Sequence, residues 1–227
     1  MMELWIGNRN YSSWSMRPGV LVNHFQLPVA QRLVRFDSFE ANSAFKQTLR
    51  GVSPTGKVPV LVDDALAVWD TLAIAETLAE RFPEHNIWPR DAARRARARS
   101  LCAEMHSGFT QLRSHCAMNI EASLADVGAR LLREHAGIQT DLDRLQAMWA
   151  DALRDSGGPF LFGDFSNADA YFAPVVSRIR TYGLPVDASV RPWMDAVWAS
   201  PGVQAWVTEA LAEADFLDFE EPYRTQR

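Results

Sequence analysis

Cysteine is scarce in this chain. The 227 residues hold two, Cys102 and Cys116, and neither belongs to a CxxC pair or to a cysteine–histidine spacing of the kind that binds zinc. In a segment that reads as one helix the two would stand roughly 21 Å apart, beyond the reach of a disulfide. They are expected to be buried free thiols, and neither a structural metal nor a two-cysteine redox cycle has a basis. An excess of basic charge is lacking too. The formal net charge is −5 with 22% charged residues, which excludes the broad cationic surface that phosphate backbones and anionic lipids require, so neither nucleic acid nor a membrane is an expected partner. No stretch approaches the about 18 consecutive apolar residues of a membrane span. The opening MMELWIGN carries neither a basic leader nor an apolar h-region, and the expectation is a cytoplasmic protein. No internal repeat or low-complexity tract is present.

What the chain does hold is enough apolar content, 48%, to bury a substantial core, arranged in two unlike parts. Leu4-Trp5-Ile6 is a short strand, followed by a serine-rich turn and a helix carrying Val20, Leu21, His24 and Phe25 at helical spacing. Residues 32–36 alternate as a half-buried strand does, and a helical piece over 41–49 follows. Residues 58–62 and 66–69 read as a hairpin around Asp63-Asp64, and residues 71–82 as an amphipathic helix. The order is βαβα then ββα. The run 83–89, with a proline at each end, is too short for a domain and too proline-bounded for a helix. It reads as a linker. Beyond it the pattern is helical almost throughout: a long helix from Asp91 towards Asn119, others over 138–155 and 167–181, and shorter ones after Val190, as in an all-helical bundle. The arginines at 94, 95, 97 and 99 read as a solvated face of the first of these.

Three places carry chemistry. In Tyr11-Ser12-Ser13-Trp14-Ser15, a strand, a serine turn and a helix starting near Ser15 place hydroxyls and free N–H groups at a helix N-terminus, where an anion is stabilised; Pro18 suits the first turn of that helix, and plain N-capping is the ordinary role of such serines. In Ser53-Pro54-Thr55-Gly56-Lys57-Val58-Pro59, the Val58-Pro59 step is either punctuation at a strand start or a cis bond that frees the main chain of Val58 to pair with an extended peptide. Asp70-Thr71, ahead of the helix over 71–82, is an ordinary cap, or an amino-acid head-group site in which Asp70 takes an ammonium and Thr71 with the helix end takes a carboxylate.

Taken together these residues resemble the glutathione transferases over nearly the whole chain. The stretch from Ser12 to Arg17 is similar to the serine-turn motif of the zeta, theta and delta classes, and counting back from Leu27 places Ser12 at the catalytic serine, with Ser13 and Ser15 as alternates. The resemblance implies an α/β thioredoxin-like N-terminal domain (1–82), a linker (83–90) and an all-α helical C-terminal domain (91–227) bearing the electrophile site. It implies glutathione as co-substrate, no metal, and a homodimer, with the arginine-bearing helix after Asp91 as an interface. Val58-Pro59 matches the cis-proline step, Asp70-Thr71 stands where the family has Glu-Ser or Gln-Ser, and Lys57 would meet the glycyl carboxylate. Tyr11, Trp14, Met105, His106, Phe109 and Arg113 would line the electrophile pocket. The run Phe162 to Asp169 resembles the family's capping box, with Ser166 and Asp169 as reciprocal caps and Pro174 inside the helix.

The implied mechanism has a size. A thiol with a pKa of about 8.5 is a few per cent thiolate at neutral pH, and lowering it by about two units requires roughly 2.7 kcal/mol, within reach of one charge-assisted hydrogen bond plus a helix dipole. The resemblance also admits zeta-type cis-trans isomerisation of a small diacid of the maleylacetoacetate kind, although no pair of arginines that would read a diacid stands out in the sequence. A thiol transferase needs a cysteine in the first turn, which here holds only serines. A glutathione-binding protein with little turnover is the non-enzymatic reading.

Overall fold

The structure is a computed structural model describing residues 2–227. Strand β1 (Glu3–Ile6) sits inside a sheet ordered β2-β1-β3-β4, parallel to β2 (Ala30–Leu33) and antiparallel to β3 (Val60–Asp63), which turns through Asp64 at φ +54° into β4 (Leu66–Trp69). Leu4 and Ile6 alternate into the core, as period-two patterning requires. The second strand begins and ends earlier than its alternation suggests. Val34 still bonds Ile6 through its N–H, but Phe36 gives its N–H to the Asn8 side chain and leaves the ladder.

Helix α1 (Ser13–His24) crosses over the sheet, α2 (Ala44–Leu49) starts at the cap Ser43, and α3 (Thr71–Arg81) at the cap Asp70. Because α1 begins at Ser13 rather than near Ser15, Pro18 lies beyond the first turn and removes one internal hydrogen bond, instead of occupying a harmless N-terminal position. The helix is held by close packing instead. A Cβ on Gly19 would come within 2.1 Å of the Trp206 ring, and one on Gly202 within 2.5 Å of the Val20 carbonyl, so the two glycines let α1 and α10 (Pro201–Glu213) nearly touch.

After residues 82–91 the chain is helical: α4 (Ala92–Ser107), α5 (Thr110–His115), α6 (Ala125–Glu134), α7 (Ala136–Ser156), α8 (Asn167–Tyr182), α9 (Arg191–Ala199) and α10, closed by a 3-10 turn at Asp218–Glu220. The fold is a four-stranded thioredoxin-like α/β domain joined to a helical domain. The long helix expected from Asp91 to Asn119 is two helices. Phe109 is left-handed at φ +58°, and the Arg113 guanidinium folds back to donate to the carbonyls of His106 and Gly108, satisfying the end of α4. Cys102 and Cys116 therefore do not share a helix, and both are free and buried. Helix α6 is an element the periodicity did not announce. Of the arginine run, Arg94 reaches the Asp155 carbonyl, Arg95 those of Pro89 and Arg90, and Arg99 grips Glu76 of α3 with two bonds of 2.7 Å.

Helix α8 is buried almost all round and forms the axis of the core. Its capping box is present as expected, and Asp169 does more than cap. Fully buried, it accepts from the N–H groups of Leu161 and Ser166, from the Ser166 hydroxyl and from the Trp193 indole at 2.9–3.2 Å. Removing it leaves these donors unpaired in the core, at about 1–3 kcal/mol each. Asp169→Ala is expected to lose at least about 3 kcal/mol of stability, read as a shift in the urea midpoint, and Asp169→Asn to lose nearly as much because its amide nitrogen faces donors. A midpoint unchanged in both would remove Asp169 from this role.

Candidate functional site

The site lies where the N-terminus of α1 meets the second domain. The chain turns there because Ser12 caps α1, accepting from the Ser15 N–H at 3.3 Å, while its hydroxyl donates to the Ser15 Oγ at 2.7 Å. Ser15 is fully buried, and its Oγ also accepts from the Gly7 N–H. Ser13, the first helical residue, is half-buried and accepts from Arg178 Nη2 at 3.2 Å. Tyr11 turns its hydroxyl away from this turn, to the buried carboxylate of Glu221 at 2.7 Å, and contributes its ring. Burial pushes its phenol up to about 12.

Two cavities, of about 430 and 330 Å³, adjoin the turn and share Trp14, Lys57 and Val58. The larger has an apolar wall of Phe36, Phe39, Phe45 and Met118, faces Ser12 and Ser13, and is lined on its other side by Arg113, Arg178 and Glu220. The smaller runs along Thr55, Pro59, Trp69, Asp70 and Thr71 to His106. The Val58-Pro59 peptide is cis.

At the far end of the smaller cavity four side chains from both domains close a ring. Thr71 Oγ1 is 2.8 Å from the Tyr171 hydroxyl, that hydroxyl is 3.0 Å from His106 Nδ1, and His106 Nε2 is 3.3 Å from Asp70 Oδ2. Asp70 is held at φ +75°, a costly region for a non-glycine residue, while its other oxygen caps Leu72. Burial raises the Tyr171 phenol to about 12, so it stays neutral.

Three guanidinium groups converge on the serine turn. Arg17, 2% exposed, lies 4.2 Å from the Trp14 ring and 4.1 Å from the Tyr171 ring, a double cation–π contact, and its Nε and Nη1 have no hydrogen-bond partner among the described residues. Arg113 lies over Trp14 at 4.9 Å. Arg178, 6% exposed, donates to the carbonyls of Cys116 and Arg113 and to Ser13. Burial, with repulsion from Arg113 and for Arg178 from Arg17 as well, brings both Arg17 and Arg178 down to about 10, still cationic at neutral pH. Glu220 lines the same cavity; burial raises its carboxyl, and the Arg178 charge partly opposes that rise. Such a concentration of positive charge beside a helix N-terminus favours an anion.

Of the residues expected at the electrophile pocket, Tyr11, Trp14 and Arg113 line the larger cavity and His106 the smaller one, whereas Met105 and Phe109 line neither. Met105 is 1% exposed in the core, and Phe109 is spent on the break between α4 and α5. Arg178, Arg17, Tyr171, Lys46 and the three phenylalanines are site-lining or site-supporting residues that sequence reasoning missed. A charged residue inside the apolar run of α8 was the available signal for Arg178.

This architecture has known relatives. A family model described as "Glutathione S-transferase, N-terminal domain" matches residues 11–81, and the corresponding C-terminal domain model matches residues 91–209. The chain belongs to the glutathione S-transferase family. Among curated relatives, maleylacetoacetate isomerase of Pseudomonas aeruginosa is 26% identical over 200 residues, covering 82% of this chain and 85% of the other. A glutathione transferase homolog from Burkholderia, solved with bound glutathione, superposes with a TM-score of 0.68 at 28% identity over 94% of this chain and 99% of its own. A maleylacetoacetate isomerase from Anaeromyxobacter dehalogenans, solved with glutathione in its active site, gives a TM-score of 0.63 at 26% identity over 91% and 94%. Among the described residues no cluster of three or more His, Cys, Asp or Glu side chains is placed to hold a metal ion, and no helix is long and apolar enough to cross a membrane.

Neither cysteine belongs to the chemistry of this fold. Burial raises both thiols, Cys116 to about 11 and Cys102 further, so neither is thiolate at neutral pH. The native protein is expected to leave both unlabelled by an aromatic disulfide reagent over minutes at pH 7.5, and to release two equivalents of chromophore once unfolded in denaturant. Rapid labelling of native protein would contradict their burial.

Proposed function

We propose that the chain is a glutathione transferase in which the smaller cavity takes the γ-glutamyl end of glutathione, the serine turn holds its sulfur, and the larger cavity takes a small electrophile. The supporting observation is that the two cavities lie side by side, with Trp14, Lys57 and Val58 lining both. A head-group site with one carboxylate and a helix N-terminus thereby stands next to a cationic turn. Glutathione supplies the chemistry, since its thiolate is the nucleophile.

The residues supply placement and charge. Asp70 takes the ammonium, and the N-terminus of α3 takes the neighbouring carboxylate. The cis step at Val58 offers its main chain to the cysteinyl backbone, Lys57 meets the glycyl carboxylate, and the serine turn, through one hydroxyl and the end of α1, holds the sulfur as its thiolate. Phe36, Phe39 and Met118 exclude water from the electrophile. The reading carries a homodimer with it, checked by light scattering.

A second reading, glutathione-dependent cis-trans isomerisation of a small dicarboxylate, is favoured by one observation. Arg113 and Arg178 both line the larger cavity, the arginine pair that the linear sequence did not display, and the isomerase-named relatives agree with it.

Three measurements separate the readings: retention on immobilised glutathione, conjugation of an aromatic halide, and turnover of a cis dicarboxylate. Retention with conjugation is expected. Retention with turnover of the dicarboxylate alone would favour the isomerase, and retention with neither a binding protein. Asp70→Ala should weaken glutathione about tenfold, corresponding to about 1.4 kcal/mol, with a smaller effect on turnover at saturation. A wild-type chain that passes through the column would remove the proposal.

A further inference from the structure

Two hydroxyls face the proposed sulfur position, and their hydrogen bonds are not equivalent. Ser12 is committed to the helix: its oxygen accepts from the Ser15 N–H and its proton goes to the Ser15 Oγ. That second oxygen is fully buried and already accepts from Gly7, so the Ser12–Ser15 pair closes the first turn inward. Ser13 is the opposite case. Its oxygen accepts from Arg178, a guanidinium that only donates, so the Ser13 proton must point elsewhere. Ser13 lines the larger cavity. The N–H of Trp14, next along the helix, has no hydrogen-bond partner among the described residues.

On the glutathione-binding reading above, we propose that Ser13, not Ser12, donates the hydrogen bond to the glutathione thiolate, and that Arg178 is the positioning residue that fixes its hydroxyl. Arg178 is suited to the task because it cannot wander. It sits on α8, the most buried helix, with its Nη1 held by the carbonyls of Cys116 and Arg113, which leaves Nη2 aimed at Ser13. It also places the nearest fixed positive charge behind the sulfur's donor. The other ionisable groups around the turn are Arg17 of α1, Lys46 of α2, Arg113 of α5, Lys57 ahead of β3, Asp70 with its partner His106, and Glu220. Only Arg178 among them touches a serine of the turn. Ser12 on this view is a cap and Ser13 the catalytic residue.

The test is the pKa of enzyme-bound glutathione, followed in the full-length chain by thiolate absorbance near 240 nm against pH, alongside the glutathione Kd. Ser13→Ala is expected to raise that pKa by about one unit or more, roughly tenfold less thiolate at a fixed lower pH, while Kd changes by less than about threefold. Ser13→Thr should restore most of the thiolate. Arg178→Gln should shift the pKa in the same direction as Ser13→Ala, and Arg178→Lys by less, keeping the charge but losing the planar fork. Ser12→Ala should leave the thiol within about 0.3 unit and lower the melting temperature instead. Should an Arg178 variant fail to fold, the Ser13 variants decide alone. A pKa that moves with Ser12 and not with Ser13 would overturn the assignment, and one indifferent to Arg178→Gln would overturn the positioning role. A wild-type chain that binds no glutathione removes the binding reading and this one with it, whereas low-pKa binding that ignores Ser13 removes this one only.

Discussion

The burial of α8 on all sides is the constraint on which the site depends. Asp169 fixes the start of that helix by drawing four donors from three segments onto one carboxylate, and the register so set decides what the rest of the helix presents. Tyr171 and Arg178 are separated by two turns, so they lie on one stripe roughly 10 Å apart along the axis. One reaches Thr71 and His106, at the head-group end of the proposed site, and the other reaches Ser13, at its sulfur end. Three residues of extended peptide span about the same length. On the proposed function, a single helix of the second domain thus gauges the two ends of a tripeptide site built on the first. The close approach of α1 and α10 through Gly19 and Gly202 keeps the opposite side of α1 from yielding.

Such a site carries an energetic cost that the fold offsets locally. Arg17 and Arg178 are withdrawn from water with no ion-pair partner among the described residues, which desolvation penalises heavily. Arg17 is compensated by two aromatic faces rather than by an anion, and Arg178 by carbonyls and a hydroxyl. Neither arrangement neutralises the charge. A structure optimised for stability alone would have placed a carboxylate there, and the field left over is available to a ligand.

What was legible in the sequence was what is encoded locally. The serine turn, the Val58-Pro59 step, the Asp70 cap and the Ser166–Asp169 capping box each occupy a few consecutive residues and stand where their local chemistry places them. The hairpin was legible for the same reason. What escaped depends on contacts made at long range. The break after Ser107 is made by the side chain of Arg113 folding back, which no periodicity records. Met105 was expected in the pocket from the family resemblance, which does not say whether a given side chain of that helix meets the cavity or the core; it meets the core. The bond between Ser13 and Arg178 joins residues far apart in the chain, and the carboxylates of Glu220 and Glu221 come from a C-terminal stretch with little pattern of its own.

The distribution of charge around the turn also bears on how far the thiolate should be stabilised. A hydrogen bond and a cation at the sulfur raise the thiolate fraction, but they also lower the energy of the ground state from which attack begins, and only what binds the transition state more tightly accelerates the step. During attack on an electrophile the negative charge leaves the sulfur and spreads towards the acceptor carbon and its substituents. Arg178 touches Ser13 and Arg113 stands over Trp14, and both line the larger cavity from the second domain. On the proposed function, the cation that touches Ser13 favours the charge before attack, and the pair together favours it once it has moved into the cavity. Phe36 and Met118, both buried, form an apolar wall beside them, where charges interact more strongly than in water. On that reading the field also selects among acceptors: one whose developing charge reaches the two guanidinium groups gains from it, and one that carries its charge towards the phenylalanines gains less.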